Sequence, residues 1–134
     1  MKVRPGALDS ILDHARRSLP RECCGVLLSA GDESRVVREA IPALNVSEEP
    51  TRRYALGPRA HLRAVEMELR GDARIAGYYH SHPDGGCRPS QWDIDQAVPG
   101  VRYLIVGLAG GTAECGAWRM EAGRVVSEPV EASE

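Results

Sequence analysis

The stretch Arg74-Ile-Ala-Gly-Tyr-Tyr-His-Ser-His82 decides the fold and carries the main candidates for chemistry. After Arg74 it is apolar, aromatic or glycine up to the first histidine, which is typical of a buried strand. Because side chains alternate along a strand, His80 and His82 point to one face and Ser81 points to the other. We therefore expect the end of this strand to present two imidazoles on the same side of a sheet.

The residues that follow this strand add a carboxylate. Pro83 ends the strand, and Asp84-Gly-Gly86 predicts a turn. Ser90 is a suitable N-cap for a helix from Gln91 to Val98, with Asp93 in its first turn. The strand end and the helix start are thus expected to meet at one point.

Two imidazoles and one carboxylate suit a catalytic zinc site, in which three protein ligands leave the fourth position open. The spacing predicts that His80, His82 and Asp93 bind one zinc ion per chain. A competing interpretation is structural, because Ser90-Gln-Trp-Asp93 alone predicts only a capped helix. Two histidines on one strand face, followed by a carboxylate on the next helix, are harder to explain by packing.

The same residues resemble the signature of the JAMM metalloproteases, also called the MPN-plus domain family. That signature is His-Ser/Thr-His, seven residues, Ser, two residues and Asp, with a Glu well upstream, and His80 to Asp93 fits it without a gap. The upstream Glu is Glu22 in Pro20-Arg-Glu-Cys-Cys-Gly25, which is similar to the Pro-x-Glu-x-Cys-Gly start of the bacterial members. The resemblance extends from the first helix to about Ala109 and implies the MPN fold.

The resemblance also implies a role for each site residue. Zinc would activate water and polarise the scissile carbonyl group. Glu22 would be the general base that takes the water proton and passes it to the departing amine. Ser90 would donate its O–H to the oxyanion of the tetrahedral intermediate while it caps the helix. The sequence around Glu22 does not itself indicate that role, so its assignment rests on the resemblance.

The small bacterial members imply a protein substrate, namely the flexible C-terminal Gly-Gly tail of a ubiquitin-like or sulfur-carrier protein. The enzyme would remove an amino acid or a conjugated lysine attached to that tail. A chain of 134 residues has little room for the insertions with which larger members grip ubiquitin chains. We expect the tail to add as a strand beside His80 and His82, with glycines permitting close approach to the metal.

Three other functional classes use zinc or a related fold. Nucleoside deaminases need a Pro-Cys-x-x-Cys motif, which the sequence lacks. A non-catalytic MPN interaction module would lack the metal ligands that this chain carries. A DNA-processing domain of the same superfamily stays open as an alternative, although a net charge of −2 with both signs interspersed does not indicate nucleic-acid binding.

Length and composition agree with a single domain over residues 1–134. The chain has 43% hydrophobic residues and no Phe, so aliphatic side chains must dominate the core. No apolar run approaches the ~18 residues of a membrane span, and the first residues lack the core of a signal peptide. We therefore expect a cytoplasmic protein without membrane contact.

The four cysteines, Cys23, Cys24, Cys87 and Cys115, form no Cys-x-x-Cys pair. We expect reduced and mostly buried thiols, as in other cytosolic proteins. Cys87 lies in the loop between the histidines and Ser90, where a regulatory or competing contact with the metal is the alternative.

The order of elements predicts an α/β domain with a mixed sheet flanked by helices. We expect a helix over Pro5–Leu19 and another from Pro58 to Gly71, both begun by proline. The strands are expected at Cys24–Ala30, Arg35–Ile41, Ile75–His82, Val101–Ala109, Glu114–Glu121 and Arg124–Pro129, with turns at Gly31-Asp32 and Ala122-Gly123 and a frayed tail over Glu131–Glu134.

Three aromatic residues near the candidate ligands are expected to serve packing, and the two other histidines are expected to have no role. Trp92 should anchor the short helix in the core, with a wall of the substrate cleft as the alternative. Tyr78 and Tyr79 should pack within their strand, and His14 and His61 should lie at the surface or boundary without a role.

Overall fold

The computed structural model describes residues 1–31 and 35–133, and within them eight strands form one mixed sheet. The strands are β1 Lys2–Val3, β2 Cys24–Ala30, β3 Val37–Ala43, β4 Ala73–His82, β5 Tyr103–Gly107, β6 Glu114–Glu121, β7 Arg124–Pro129 and β8 Glu131–Ala132, and the helices are α1 Pro5–Ser18, α2 Pro58–Leu69 and α3 Gln91–Gln96. In space the strands follow the order β7-β6-β5-β4-β2-β3-β1-β8. This architecture confirms the predicted fold class.

The sheet has a separate apolar cluster on each face because its central strands are buried on both sides. On one face, Ile11 of α1 packs in a cluster with Leu27 of β2 and Leu104 of β5. On the other face, Val26 of β2 packs in a cluster with Ala64 of α2. Adjacent residues of β2 thus belong to opposite faces, as the period of a strand requires. A strand buried in this way has little freedom to shift its register.

The strand that carries the histidines lies in the middle of the sheet. β4 pairs with β2 in antiparallel orientation, where His80 is opposite Cys24, and with β5 in parallel orientation, where His80 is opposite Ile105. Its pairing with β5 continues to His82. Strand addition of a substrate tail is therefore wrong as an expectation for β4 as far as His80, because β2 and β5 already occupy both of its edges over that length.

The helix beginnings follow the local chemistry of the sequence. Pro5 and Pro58 each occupy the start of a helix, where the missing N–H of proline costs no hydrogen bond. Ser90 is the N-cap of α3, as predicted. This helix ends at Gln96 rather than Val98, because Val98 precedes Pro99 and a residue before proline avoids helical conformation.

The largest differences from the sequence-based expectations are at the sheet edge. Glu131–Ala132 pairs in parallel with Lys2–Val3, so the prediction of a frayed tail is wrong for these two residues. Two-residue strands carry no periodic pattern, and their pairing depends on contacts distant in the sequence. β3 begins and ends two residues later than expected, and β5 is shorter at both ends. Of the turn expected at Gly31-Asp32, Asp32 lies outside the described residues, as does Glu134.

The hairpin of β6 and β7 has the predicted bounds, and its turn residues Ala122 and Gly123 both have positive φ. Two consecutive residues with positive φ are typical of the tight turns that join antiparallel strands. Across residues 1–31 and 35–133, we find no helix with the length and apolar character needed to span a membrane.

Candidate active site

The structure brings the three predicted metal ligands together on the face of the sheet that carries α2 and α3. His80 Nε2 lies 3.1 Å from Asp93 Oδ2, and His82 Nε2 lies 3.0 Å from the same oxygen. One ligand atom from each residue lies within 4.8 Å of the other two, and in the described part of the chain these three residues form the group that could hold a metal ion.

His80 has the surroundings expected of a metal ligand rather than of a packed core histidine. Its side chain is 1% exposed, and neither of its ring nitrogens makes a well-formed hydrogen bond among the described residues, although Nε2 lies 3.1 Å from Asp93 Oδ2. A buried polar atom without a partner is costly, so it calls for a ligand. His82 differs, because its Nδ1 donates to the Gly86 carbonyl oxygen at 2.9 Å, so that in the neutral ring Nε2, 3.0 Å from Asp93 Oδ2, carries the lone pair. Both imidazoles are thus able to bind a cation.

The charges of the cluster are strongly coupled. Burial would raise the pKa of Asp93, but the adjacent rings of His80 and His82 hold it well below its usual range. Burial lowers the pKa of His80, whereas for His82 the contact with Asp93 outweighs burial and raises the pKa. Asp93 is therefore a carboxylate at neutral pH, and a neutral His80 beside it offers a lone pair to a metal.

Asp93 is oriented by the start of α3. Ser90 Oγ accepts a hydrogen bond from the backbone N–H of Asp93 at 3.1 Å, and Asp93 Oδ2 accepts one from the backbone N–H of Ser90 at 2.9 Å. This reciprocal capping box satisfies two N–H groups that a helix start leaves free. The same bonds fix the carboxylate toward the histidines. Capping and metal binding are compatible in this arrangement, so the two interpretations of the motif do not exclude one another.

Glu22 lies beside this cluster although it is distant in the sequence. Its side chain is 7% exposed, and burial raises the pKa of its carboxyl to about 7, with the charge of His82 lowering it and that of Asp93 raising it. The next residue, Cys23, donates its N–H to Ser81 Oγ at 2.8 Å and accepts from the Ser81 N–H at 3.1 Å. Since Ser81 stands between the two histidines, these bonds fix the backbone of Glu22 relative to them.

Tyr54 is a site residue that the sequence analysis missed. Its ring stacks on His80, with centroids 4.4 Å apart and planes inclined by 24°. Burial strongly raises the pKa of the Tyr54 hydroxyl, with Asp93 adding to the effect, so it stays protonated. The sequence offers one signal for Tyr54, because it is an aromatic residue directly after a polar stretch that ends at Arg53.

Trp92 is not anchored in the core, so that prediction is wrong. The side chain is 39% exposed and lines a cavity of about 240 Å³ together with Tyr54, Asp93 and Trp118. The Arg53 guanidinium lies 4.2 Å from the Trp92 ring centroid. In this short helix Asp93 is the buried residue, and Trp92 is therefore turned outward beside the candidate metal ligands.

The loop between His82 and Ser90 packs against two strands at positions occupied by glycine, namely Gly107 and Gly116. A Cβ added at Gly107 of β5 would lie 2.4 Å from the carbonyl carbon of Gly86. A Cβ added at Gly116 of β6 would lie 3.0 Å from the Cys87 sulfur. The cysteine packs against β6, and the group of potential metal-ligand atoms in the described residues does not include it.

Two further histidines make hydrogen bonds away from the cluster. His14 Nδ1 lies 2.8 Å from the Tyr79 hydroxyl on one face of the sheet, and His61 Nδ1 lies 3.2 Å from the Tyr78 hydroxyl on the other. The expectation that the tyrosines pack within their strand is confirmed. His14 and His61 were expected to have no role, but each is hydrogen-bonded to one of these tyrosine hydroxyl groups.

Comparison with known proteins identifies relatives over most of the chain. A desampylase from Haloferax volcanii is 42% identical over 112 residues, 78% of this chain and 78% of the relative. A probable TtuB-protein conjugate cleaving protease from Thermus thermophilus is 38% identical, covering 81% of this chain and 70% of the relative. A CysO-cysteine peptidase from Mycobacterium tuberculosis is 31% identical over 96% of this chain and 88% of the relative. These names confirm the prediction of a hydrolytic enzyme of the peptidase class.

The fold is also found in solved structures. The crystal structure of AF2198, a JAB1/MPN domain protein from Archaeoglobus fulgidus, superimposes with a TM-score of 0.60 at 22% identity, covering 98% of this chain and 99% of that chain. The profile of a protein family described as prokaryotic homologs of the JAB domain matches residues 5–121. The matched span includes every predicted site residue, from Glu22 to Asp93, and the chain therefore belongs to this family of prokaryotic JAB-domain proteins.

Proposed function

We propose that residues 1–134 are one zinc metallopeptidase domain that hydrolyses an amide bond at the C-terminal Gly-Gly tail of a ubiquitin-like or sulfur-carrier protein. The observation that carries this proposal is the buried His80, whose ring nitrogens make no well-formed hydrogen bond within the described residues, beside His82 and Asp93. Packing alone leaves such a ring at an energetic disadvantage, whereas a metal ligand needs its lone pair.

The donor set fits zinc. Two imidazole nitrogens and one carboxylate oxygen are ligands that zinc binds in tetrahedral sites, and three protein ligands leave one position for chemistry. Zinc held by His80, His82 and Asp93 would supply a Lewis acid that activates water and polarises a carbonyl group. The Gly86 carbonyl, which binds His82 Nδ1, keeps the opposite nitrogen turned toward this position.

Glu22 is the proposed general base. Its carboxyl is buried beside the metal ligands, and a pKa of about 7 lets it both accept and return a proton near neutral pH. In peptide hydrolysis it would take the proton of the attacking water and deliver it to the departing amine. Burial also keeps bulk water from competing for that proton.

Ser90 is the proposed oxyanion donor. Its oxygen already accepts from the Asp93 N–H, and a hydroxyl that accepts one hydrogen bond still has its own proton to donate. The residue is exposed at the N-terminus of α3, so a substrate carbonyl can reach it. A donor directed at the developing negative charge stabilises the transition state more than the ground state.

The relatives support a substrate of the carrier-protein class. One is named for cleaving TtuB-protein conjugates and another for a CysO-cysteine bond, so both act where a carrier is joined to another group. Glycine at the end of the carrier tail would let its backbone approach the buried ligand cluster without a side chain. We also propose that the reaction takes place in the cytoplasm, and the lack of disulfide bonds among the four cysteines is compatible with that reducing compartment.

The test compares two adducts of one small carrier protein, ending in Gly-Gly-Cys and Ala-Ala-Cys. Each is incubated with the zinc-loaded protein, with and without a chelator, and the products are separated by mass. We expect release of cysteine from the Gly-Gly adduct alone, and only when zinc is present. Equal cleavage of both adducts, or cleavage without zinc, contradicts this proposal. Binding of the carrier without cleavage would favour a non-catalytic interaction module.

A further inference from the structure

Asn45 connects two parts of the chain that lie beside the candidate metal ligands, namely the residue Glu22 and the segment that contains Tyr54. Asn45 Nδ2 lies 3.0 Å from the Glu22 carbonyl oxygen, 3.0 Å from the Arg53 carbonyl oxygen and 3.3 Å from that of Pro50. Asn45 Oδ1 accepts from the backbone N–H of Ser47 and of Ala55, each at 3.1 Å. All of these partners are backbone atoms, so the contacts depend on Asn45 and not on the side chains it meets.

These bonds connect the proposed base to the residue that stacks on a proposed ligand. Asn45 binds the residues on both sides of Tyr54, whose ring lies on His80. It also binds Glu22, whose N–H donates to the Pro50 carbonyl oxygen at 2.8 Å. The backbone of Glu22 is therefore bonded through both its carbonyl and its N–H to the segment that carries Tyr54.

Glu22 is held in a different way on its other side. There Cys23 exchanges two hydrogen bonds with Ser81, which belongs to β4 in the middle of the sheet. That attachment is part of the sheet, whereas the attachment to residues 44–57 consists of the backbone bond to the Pro50 carbonyl oxygen and the bond from the half-buried side chain of Asn45. Changing Asn45 should therefore affect one side of Glu22 and leave the sheet intact.

The geometry requires an amide at this position. Two N–H donors bind carbonyl groups while the oxygen on the same side chain accepts two N–H groups, and asparagine offers this combination at this length. Aspartate has nearly the same shape and keeps the acceptor, but it has no N–H to donate to Glu22 or Arg53. It would place an anion against those two carbonyl oxygens.

We propose that Asn45 is a positioning residue, which holds the Glu22 backbone and the Tyr54 segment in register with the metal ligands. Its side-chain hydrogen bonds go to backbone atoms and not to the candidate ligands, and it acts through Glu22. This inference rests on the proposed function, because positioning has a kinetic meaning only if Glu22 is the base.

The experiment measures single-turnover cleavage of the Gly-Gly-Cys carrier adduct by zinc-loaded protein, for Asn45→Asp, Glu22→Gln and the double variant. We expect Asn45→Asp to lower the cleavage rate by ~10²-fold at saturating substrate, which is the scale for a catalytic group misplaced by about 1 Å. Zinc content and the affinity for the carrier should stay unchanged. In the Glu22→Gln background, Asn45→Asp should change the rate by less than ~3-fold, because residues that act as one unit are not additive.

A matched control changes another side chain of the same segment and leaves the amide of Asn45 intact. Glu49 forms ion pairs with Arg52 and Arg53 through its side chain, and Glu49→Gln should keep the rate within ~2-fold. If Asn45→Asp fails to fold or loses zinc, Asn45→Ser, which keeps a short polar side chain, replaces it in the same cycle. Should both variants fail to fold or lose zinc, Asn45 is a structural residue and the inference is wrong.

The outcomes separate the two proposals. If Glu22→Gln cleaves at the normal rate, the proposed base is wrong, whatever Asn45 does. Suppose instead that Glu22→Gln cleaves slowly, and that Asn45→Asp lowers the cleavage rate by the same factor in the parent protein and in the Glu22→Gln variant. The effect of Asn45 is then independent of Glu22, and the positioning inference is overturned. It is equally overturned if Asn45→Asp cleaves at the normal rate.

Discussion

Tyr54 and His80 stack nearly parallel, with ring centroids 4.4 Å apart, although they come from different parts of the chain. The tyrosine covers one face of the imidazole, and the neighbouring strands hold its backbone on both sides. A histidine confined in this way has few rotamers available before any metal binds. Such preorganisation lowers the entropic cost of forming a metal site.

The purified protein is expected to contain about one zinc ion per chain, and substitution of any one ligand should remove most of it. Three protein ligands are the usual minimum for an open catalytic zinc site, so His80→Ala, His82→Ala and Asp93→Ala should each be severe. Elemental analysis after dialysis measures the occupancy. His61→Gln changes a histidine outside the group and should retain zinc. Full occupancy in His82→Ala would show that this residue is not a ligand.

Glu22→Gln should keep the zinc and the fold but lower the turnover number by ~10²–10⁴-fold, which is the usual range for general acid–base catalysis. The amide has nearly the shape of the carboxyl, so the buried position tolerates it, but it cannot take a proton from water. Steady-state cleavage of the carrier adduct, together with zinc analysis of the same sample, tests this expectation. Near-normal turnover would mean that another group is the base.

Ser90→Ala should lower turnover by ~10²–10³-fold, the scale for loss of one oxyanion donor. It should also destabilise the protein by ~1 kcal/mol, because the cap of α3 is lost. Ser90→Thr keeps both the hydroxyl and the cap, so it should retain most of the activity and the stability. Turnover and urea unfolding are measured on all three proteins. A loss of stability without loss of turnover in the alanine variant would restrict Ser90 to capping.

The two tryptophans should differ sharply in their effect on stability. Trp118 is 2% exposed and packs with Tyr103 and Ile105, so Trp118→Ala should lower the free energy of unfolding by ~3–5 kcal/mol. Trp92 is 39% exposed, and Trp92→Ala should cost less than ~1 kcal/mol. Denaturant unfolding of both variants compares the same chemical change at two positions. Similar losses at both positions would place Trp92 in the core after all.

Gly107→Ala should weaken zinc binding without touching a ligand. The new Cβ would collide with Gly86, whose carbonyl accepts the hydrogen bond from His82 Nδ1. Loss of such a supporting bond typically costs ~10–100-fold in metal affinity. Competition with a chromogenic chelator gives the affinity. Gly6→Ala, where nothing lies within 4 Å, is the matched control and should have the affinity of the parent protein.

The sequence best predicts those strands and helices whose formation depends on residues close together in the chain. The buried strand that ends at His82 follows from apolar composition, and the start of α3 follows from the capping chemistry of Ser90. The three candidate ligands fall within these two neighbouring elements, and the structure brings them together. Local patterns therefore account for the centre of the candidate site.

The periphery of the site depends on contacts that no local pattern encodes. Tyr54 stacks on His80 from a segment in which Asn45 binds the backbone on either side of the tyrosine, and neither residue belongs to a periodic segment. Glu22 was identified only through the family resemblance, since its own neighbourhood is ordinary. The position of Trp92 between Ser90 and Asp93 predicts an anchor in the core, but the sequence does not show which side of so short a helix faces inward, and the side chain is exposed.

The close approach of Gly107 to Gly86 has a consequence for protein engineering. The loop over residues 83–89 and strand β5 meet through their backbones, so neither can be exchanged alone without changing the gap between them. A loop grafted from a relative with a different strand at this position would be displaced, and its carbonyl would no longer face the imidazole. Altering the substrate range of this scaffold by loop exchange therefore requires loop and strand to be transplanted as one unit.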